Sequence, residues 1–240
     1  MNKTENLHIE DYLRGKRFSD GVSVVYKKTG SVVSRIEYLS AMVNGKAVIH
    51  VGCVDHLPLL NKKIDSGTWL HSKLCERASR CVGLDINRDG VEELRRLGYD
   101  DVYHFDILSD IDLIEHEGGW DYCILGEMIE HVDNPVLFLS NMRQKMLGRV
   151  RGLIVTTPNA FRKDNFLFAL RSREVINSDH RYWFTPYTLS KILALSGFKV
   201  NRIDFCHGAI APKSKIKRIF YDRFPMLSMG LVAVAHPSCD

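Results

Sequence analysis

Residues 120–131, WDYCILGEMIEH, constrain this chain more than any other stretch. Positions 122–125 form a short apolar run of the kind that makes a buried strand. Glu127, Glu130 and His131 follow at once. A helical turn starting at Glu127 would put positions i, i+3 and i+4 on one face, so two carboxylates and an imidazole would converge. The carboxyl end of a strand is where open α/β sheets bind their ligands. The segment therefore predicts a parallel-sheet architecture and, on that sheet, the floor of an active site.

The rest of the chain repeats the strand-then-helix rhythm. Residues 22–26 read as a short strand or an extended arm. Helical spacing of Val32, Ile36, Leu39 and Val43 predicts a helix over 31–43, with Ser31 available as its cap. A strand over 46–51 leads into Gly52-Cys53-Val54-Asp55-His56. A helix over 68–79, a strand over 80–84 closing at Asp85, a helix over 90–97 and a third strand over 101–105 closing at Asp106 follow. Asn134-Pro135 opens the next helix, where proline suits the first turn. A fifth strand over 152–156 precedes an irregular or helical stretch, 160–183, rich in arginine and aromatics. A helix over 185–196 and two late strands, near 199–205 and 229–235, complete the chain. This order predicts an α/β fold with a doubly wound, Rossmann-like and mainly parallel sheet. A length of 240 residues suits a single globular domain, with 1–44 as an accessory segment and helix ahead of 45–240.

Composition enters mainly by exclusion. No apolar run approaches the ~20 residues that span a bilayer, and the first residues lack a signal peptide's apolar core, so a cytoplasmic protein without membrane insertion is expected. The net charge of +4 permits an anionic partner without demanding one. Six cysteines are scattered without a CxxC pair or zinc spacing, which predicts reduced, mostly buried thiols. Nothing in the sequence sets the oligomeric state.

Three residues have a use at the strand ends. A carboxylate closing the second strand, Asp85, can accept both hydroxyls of a ribose. Asp106, closing the third, can accept from an adenine amino group. Gly52 lets backbone approach a ligand with no Cβ in the way.

Taken in order, VIHVGC, CVGLDIN, HFDIL, DYCILGEMIEH, TTPN and HRYWFTPYTLSKILALSGF resemble the class I S-adenosylmethionine-dependent methyltransferases over residues 45–236. The resemblance implies a seven-stranded sheet whose last strand, from residues 231–235, runs antiparallel, and makes 45–240 a methyltransferase domain. It also implies that S-adenosyl-L-methionine is held by Gly52, Cys53, Asp85, Ile86, Asp106, Ile107 and Gly126. The first loop departs from the family's acidic-x-Gly-x-Gly-x-Gly, having His50, Gly52, Val54 and His56. Asp55 or His56 would have to replace lost contacts, and LPLLNKKIDSG lengthens the gap before Asp85.

Glu127-Met128-Ile129-Glu130-His131 has the ExxEH form that resembles small-RNA 2′-O-methyltransferases and ubiquinone-pathway O-methyltransferases. In those families the two carboxylates and the histidine hold a divalent metal. Residues 179–185 resemble the RNA enzymes' later segment and nominate His180 as a further ligand for Mg2+ or Mn2+. The alternative is metal-free, with His131 as general base and Glu127 and Glu130 as orienting groups.

The expected acceptor is a small molecule or glycan, a sugar or other hydroxylated metabolite, ahead of RNA, because no RNA-binding module is evident. Arg162, Lys163, Arg171, Arg173 and Arg181, and the later Lys213, Lys215, Lys217 and Arg218, can clasp phosphates or form a solvated face. A scaffold that kept the fold and lost the chemistry is the competing reading, and the altered glycine loop is its evidence. A nicotinamide dehydrogenase fares poorly, because the glycine fingerprint is absent.

Overall fold

A computed structural model of the protein describes residues 9–26, 30–108 and 116–238. Seven strands form one sheet: β1 (Ala47–Val51), β2 (Arg80–Asp85), β3 (Val102–His104), β4 (Trp120–Gly126), β5 (Val150–Pro158), β6 (Phe198–Cys206) and β7 (Gly230–Pro237). Their order is β3-β2-β1-β4-β5-β7-β6. The first five run parallel, and β7 is antiparallel to both neighbours, β5 and β6. The order reverses between β1 and β4, so a crevice opens at their carboxyl ends.

Every residue of β1 is buried, as expected of a central parallel strand covered on both faces. One face of the sheet packs on α5 (Pro135–Met146) and α7 (Pro186–Leu195) through Leu139, Met142, Leu189 and Leu193. The other face packs on α1 (Arg35–Met42) and α3 (Leu70–Cys75) through Leu39, Leu70 and Leu74. A further cluster joins Leu60 of α2 (Leu57–Asp65) to Val91 and Leu94 of α4 (Arg88–Arg96). Helices α6 (Lys163–Ala169) and α8 (Lys215–Arg223) lie outside this frame.

Local chemistry explains most boundaries, and some differ from expectation. The first helix starts at Arg35, because Ser34 and not Ser31 caps it, accepting from Glu37 N–H. Residues 68–79 hold only the short α3, and α2 forms inside the inserted stretch, with Pro58 in its first turn. Asn134 caps α5, and Thr185 caps α7 in a reciprocal box with Thr188. Residues 22–26 belong to no strand. The start of α1 is tied to the end of β6, since Arg35 N–H donates to the carbonyls of His207 and Gly208. That tie sets where the Arg35 side chain points. No helix among the described residues is long and apolar enough to cross a membrane.

Candidate active site

A cavity of about 310 Å3 opens at the carboxyl ends of β1, β2 and β4. Gly52, Cys53, Asp85, Gly126, Glu127, His131 and His180 line it, so seven residues singled out by sequence meet in one place. Asp106, Ile86 and Ile107 do not line it. Asp106 accepts from Leu108 N–H in a turn, Ile107 is buried in the core, and Ile86 is exposed just past β2.

Gly52 turns the chain out of β1 with φ 74°, a conformation other residues rarely adopt. The Asp85 carboxylate then fastens the loop, accepting from Val54 N–H and Asn87 N–H, each at 2.9 Å. A carboxylate has about four lone-pair sites, so each oxygen keeps capacity for a further donor. Asp55 and His56 also line the cavity. Asp55 pairs with Lys63 of α2, and His56 Nε2 lies 3.6 Å from Asp179, so the inserted helix is strapped across the cavity rim.

Where the resemblance implies an acid this chain has His50, buried and facing Gly126. Burial, with His71 and Arg35 nearby, holds its imidazolium well below the ordinary histidine range, so the ring is neutral. Its Nε2 has no hydrogen-bond partner among the described residues. Arg35 enters the same space and pairs with Glu127 at 3.3 Å. Sequence reasoning missed Arg35. The available signal was a cation four residues before Leu39, on the buried face of α1.

The acid–histidine stretch is not the helical turn expected. Glu127 has φ 55° and its N–H donates to Thr156 of β5, so the sheet ladder runs one residue too far for a helix to begin there. A 3-10 turn forms only at Ile129–His131. Glu127 thereby turns toward Arg35, outside the group that Glu130 forms with His131 and His180. A non-glycine residue held at positive φ stores strain, and two of the three described here, Asp55 and Glu127, line this cavity.

Glu130 is fully buried, and its oxygens lack a well-formed hydrogen bond among the described residues. Burial, reinforced by the nearby Glu127 charge, pushes its carboxyl up to about 8. Residues 179–184 run beside this turn: Arg181 N–H donates to Glu130 O, and Tyr182 OH to Asp133 O. That docking stacks His180 edge-on to His131, with ring centroids 4.6 Å apart. One ligating atom from each of Glu130, His131 and His180 lies within 4.8 Å of the others. Three of the four proposed metal ligands thus fit a cation, and Glu127 stands with Arg35 instead. His131 Nδ1 is 3.2 Å from the Asp179 carbonyl. A carbonyl only accepts, so Nδ1 carries the proton and Nε2 keeps a free lone pair. Burial lowers the His131 pKa from its ordinary value, which keeps that lone pair unprotonated.

No family model matches the chain, and no curated protein matches it in sequence. Solved structures do resemble it. The small RNA methyltransferase HEN1 superposes with a TM-score of 0.55 at 17% identity, covering 92% of this chain. This chain spans only 28% of that protein's length. Magnesium protoporphyrin IX methyltransferase from Synechocystis PCC 6803, with bound SAH, gives 0.52 at 16% identity, covering 85% of this chain and 82% of its own. The methyltransferase domain of bacterial CtHen1-C gives 0.52 at 20% identity, covering 86% and 98%. The sheet, with its strand order and antiparallel β7, is therefore the fold of the S-adenosylmethionine-dependent methyltransferases.

Proposed function

We propose that this chain is an S-adenosylmethionine-dependent methyltransferase acting on an oxygen of a polar acceptor, a sugar or other hydroxylated metabolite. The observation that carries the reading is the meeting of Gly52, Asp85, Glu127 and His131 in one cavity at the reversal of strand order. S-adenosylmethionine supplies an electrophilic methyl group on a sulfonium. The chain must bind it, place an acceptor hydroxyl in line and take the hydroxyl proton, and most of the gain comes from placement.

Each task has a residue. The free lone pairs of Asp85 receive the ribose hydroxyls, and the exposed Ile86 beside it offers an apolar shelf to the base. Cys53 and Gly126 give the walls at the ends of β1 and β4. Arg35 suits a carboxylate and Glu127 an ammonium, so this ion pair matches the amino-acid end of the cofactor with opposite charges. His50 Nε2, buried and without a partner among the described residues, adds a polar atom that the missing glycines would not. His131 Nε2 is the base that removes the acceptor proton.

A metal-assisted version has its own support, the convergence of Glu130, His131 and His180. Mg2+ or Mn2+ there would supply a Lewis acid that acidifies the acceptor hydroxyl. The buried oxygens of Glu130 fit that use. The acceptor of such a site includes the ribose hydroxyl of an RNA end; HEN1, one of the similar structures, is named a small RNA methyltransferase.

Calorimetric titration with S-adenosylmethionine and S-adenosylhomocysteine, with and without Mg2+ or Mn2+, tests the reading. Micromolar binding is expected. Absence of binding to well-folded protein in every condition overturns it in favour of a scaffold. Methyl transfer that requires the metal, and is lost in His180→Ala, selects the metal-assisted version.

A further inference from the structure

A second group of ligating side chains lies behind the cleft, toward the amino end of β2. His71 and Cys75, four residues apart, share one face of α3. Cys81, the second residue of β2, faces the same side. His71 Nε2 is 3.6 Å from Cys75 Sγ, and Cys81 Sγ is 3.8 Å from His71 Nδ1. One ligating atom from each of the three lies within 4.8 Å of the others. The sheet is shaped around them: a Cβ on Gly83 would come within 2.8 Å of both His71 Cε1 and Cys53 Sγ. A cavity of about 380 Å3, lined also by Asp101, opens beside the group. Cys75 is exposed there, which gives an entry path, whereas Cys81 is buried.

Two thiolates and an imidazole are the donor set of tetrahedral zinc, with bonds of about 2.3 Å to sulfur and about 2.0–2.1 Å to nitrogen. Donors at those lengths stand roughly 3.6–3.8 Å apart in a tetrahedron, the spacing found between His71 Nε2 and Cys75. We propose that His71, Cys75 and Cys81 bind a Zn2+ ion, its fourth position facing the cavity that Asp101 lines. The sequence hid this site because its ligands follow no CxxC spacing. They converge only when α3 packs on β2.

The site has a consequence for the cleft. His71 Nδ1 lies 3.2 Å from His50 Nδ1. With Nε2 turned to the ion, Nδ1 carries the His71 proton and donates it to His50. The His50 proton then sits on Nε2, the buried atom that faces Gly126 in the cleft. The ion thereby fixes His50 as a donor toward the bound cofactor. The zinc site stands without the cofactor reading, and this second step rests on it.

Cobalt substitution tests the site. Reduced, chelator-stripped protein is titrated with Co2+ and then Zn2+. The expected result is a near-ultraviolet sulfur-to-cobalt band that saturates at one equivalent and is displaced by Zn2+. The band should vanish in Cys75→Ser, whose exposed position keeps the fold intact by circular dichroism, and persist in His180→Ala. Absence of the band in reduced, folded protein overturns the site and leaves Cys75 and Cys81 as a plain thiol pair. A band unchanged in Cys75→Ser overturns it as well. S-adenosylhomocysteine titration reads the second step: zinc-loaded protein should bind about tenfold more tightly than Cys75→Ser. Equal affinities overturn the role of His50. No affinity in either protein, with the cobalt band present, overturns the cofactor reading and with it the His50 step, while the zinc site stands.

Discussion

Two carboxylates at the edge of one sheet, Asp85 and Glu130, are treated in opposite ways. Asp85, at the end of β2, is half-buried and accepts from two backbone N–H groups, with lone pairs left to accept again. Glu130, past the end of β4, is fully buried with no well-formed hydrogen bond among the described residues, and burial pushes its carboxyl up to about 8. Asp85, which lines the cleft, is satisfied by the chain itself. Glu130, buried beneath His131, is left for a proton or a cation to satisfy. The difference teaches where binding and where chemistry are built: the satisfied carboxylate suits a resting scaffold for a cofactor, and the unsatisfied one marks a place whose charge state changes.

That contrast can be broken from several directions. The largest effect should come from His131→Ala, which removes the base yet leaves the β1–β2 end untouched. Methyl transfer should fall by roughly 10²–10⁴-fold with cofactor affinity little changed. Normal turnover in that variant would sink both the base and the ligand role of His131.

Asp85→Ala comes next. It strips the cofactor's ribose anchor and orphans the N–H groups of Val54 and Asn87, so affinity should fall by about ten- to a hundredfold, with roughly 1–3 kcal/mol lost from stability. Calorimetry showing unaltered affinity refutes the ribose assignment.

Glu130→Gln sharpens the other side. In metal-free protein the raised Glu130 pKa means the native state holds its proton longer than the unfolded chain does. Stability is therefore greatest below the unfolded carboxyl pKa and declines as pH rises toward about 8. Glu130→Gln should remove that decline and leave the protein more stable near pH 8, by on the order of 2 kcal/mol. Denaturant unfolding at pH 5 and pH 8 checks it, and a decline of the same size in both proteins contradicts the account. Mn2+ should stabilise the parent chain and not the variant. The smallest effect is Thr185→Ala, which removes a cap from the helix that follows His180 and should cost about 1 kcal/mol. An unchanged unfolding midpoint would show the cap to be idle.

Much of the fold could be read in advance, because buried parallel strands announce themselves as apolar runs and helices by their caps. The strand ending at Asp85 and the apolar runs at 122–125 and 231–235 lie where patterning placed them, and the antiparallel direction of the last is what the resemblance implied. The inserted LPLLNKKIDSG was less legible. Its helix buries little beyond Leu60, so no apolar stripe marked it in the sequence. In the site, adjacency in sequence misled at Glu127, where a ladder bond to β5 took the backbone that a helix needed.

The sequence alone therefore determined the alternation of elements, the strand ends that carry Gly52, Asp85 and Gly126, and the residue types gathered after β4. Those features are local, written in periodicity and turn chemistry over a few residues. Only the tertiary structure decided that Arg35 enters the cleft, that Glu127 turns to it, that His180 rather than Glu127 completes the group around Glu130, and that His71, Cys75 and Cys81 meet. Each of those contacts joins segments that differ in strand or helix, and packing of both faces of the sheet sets their distance.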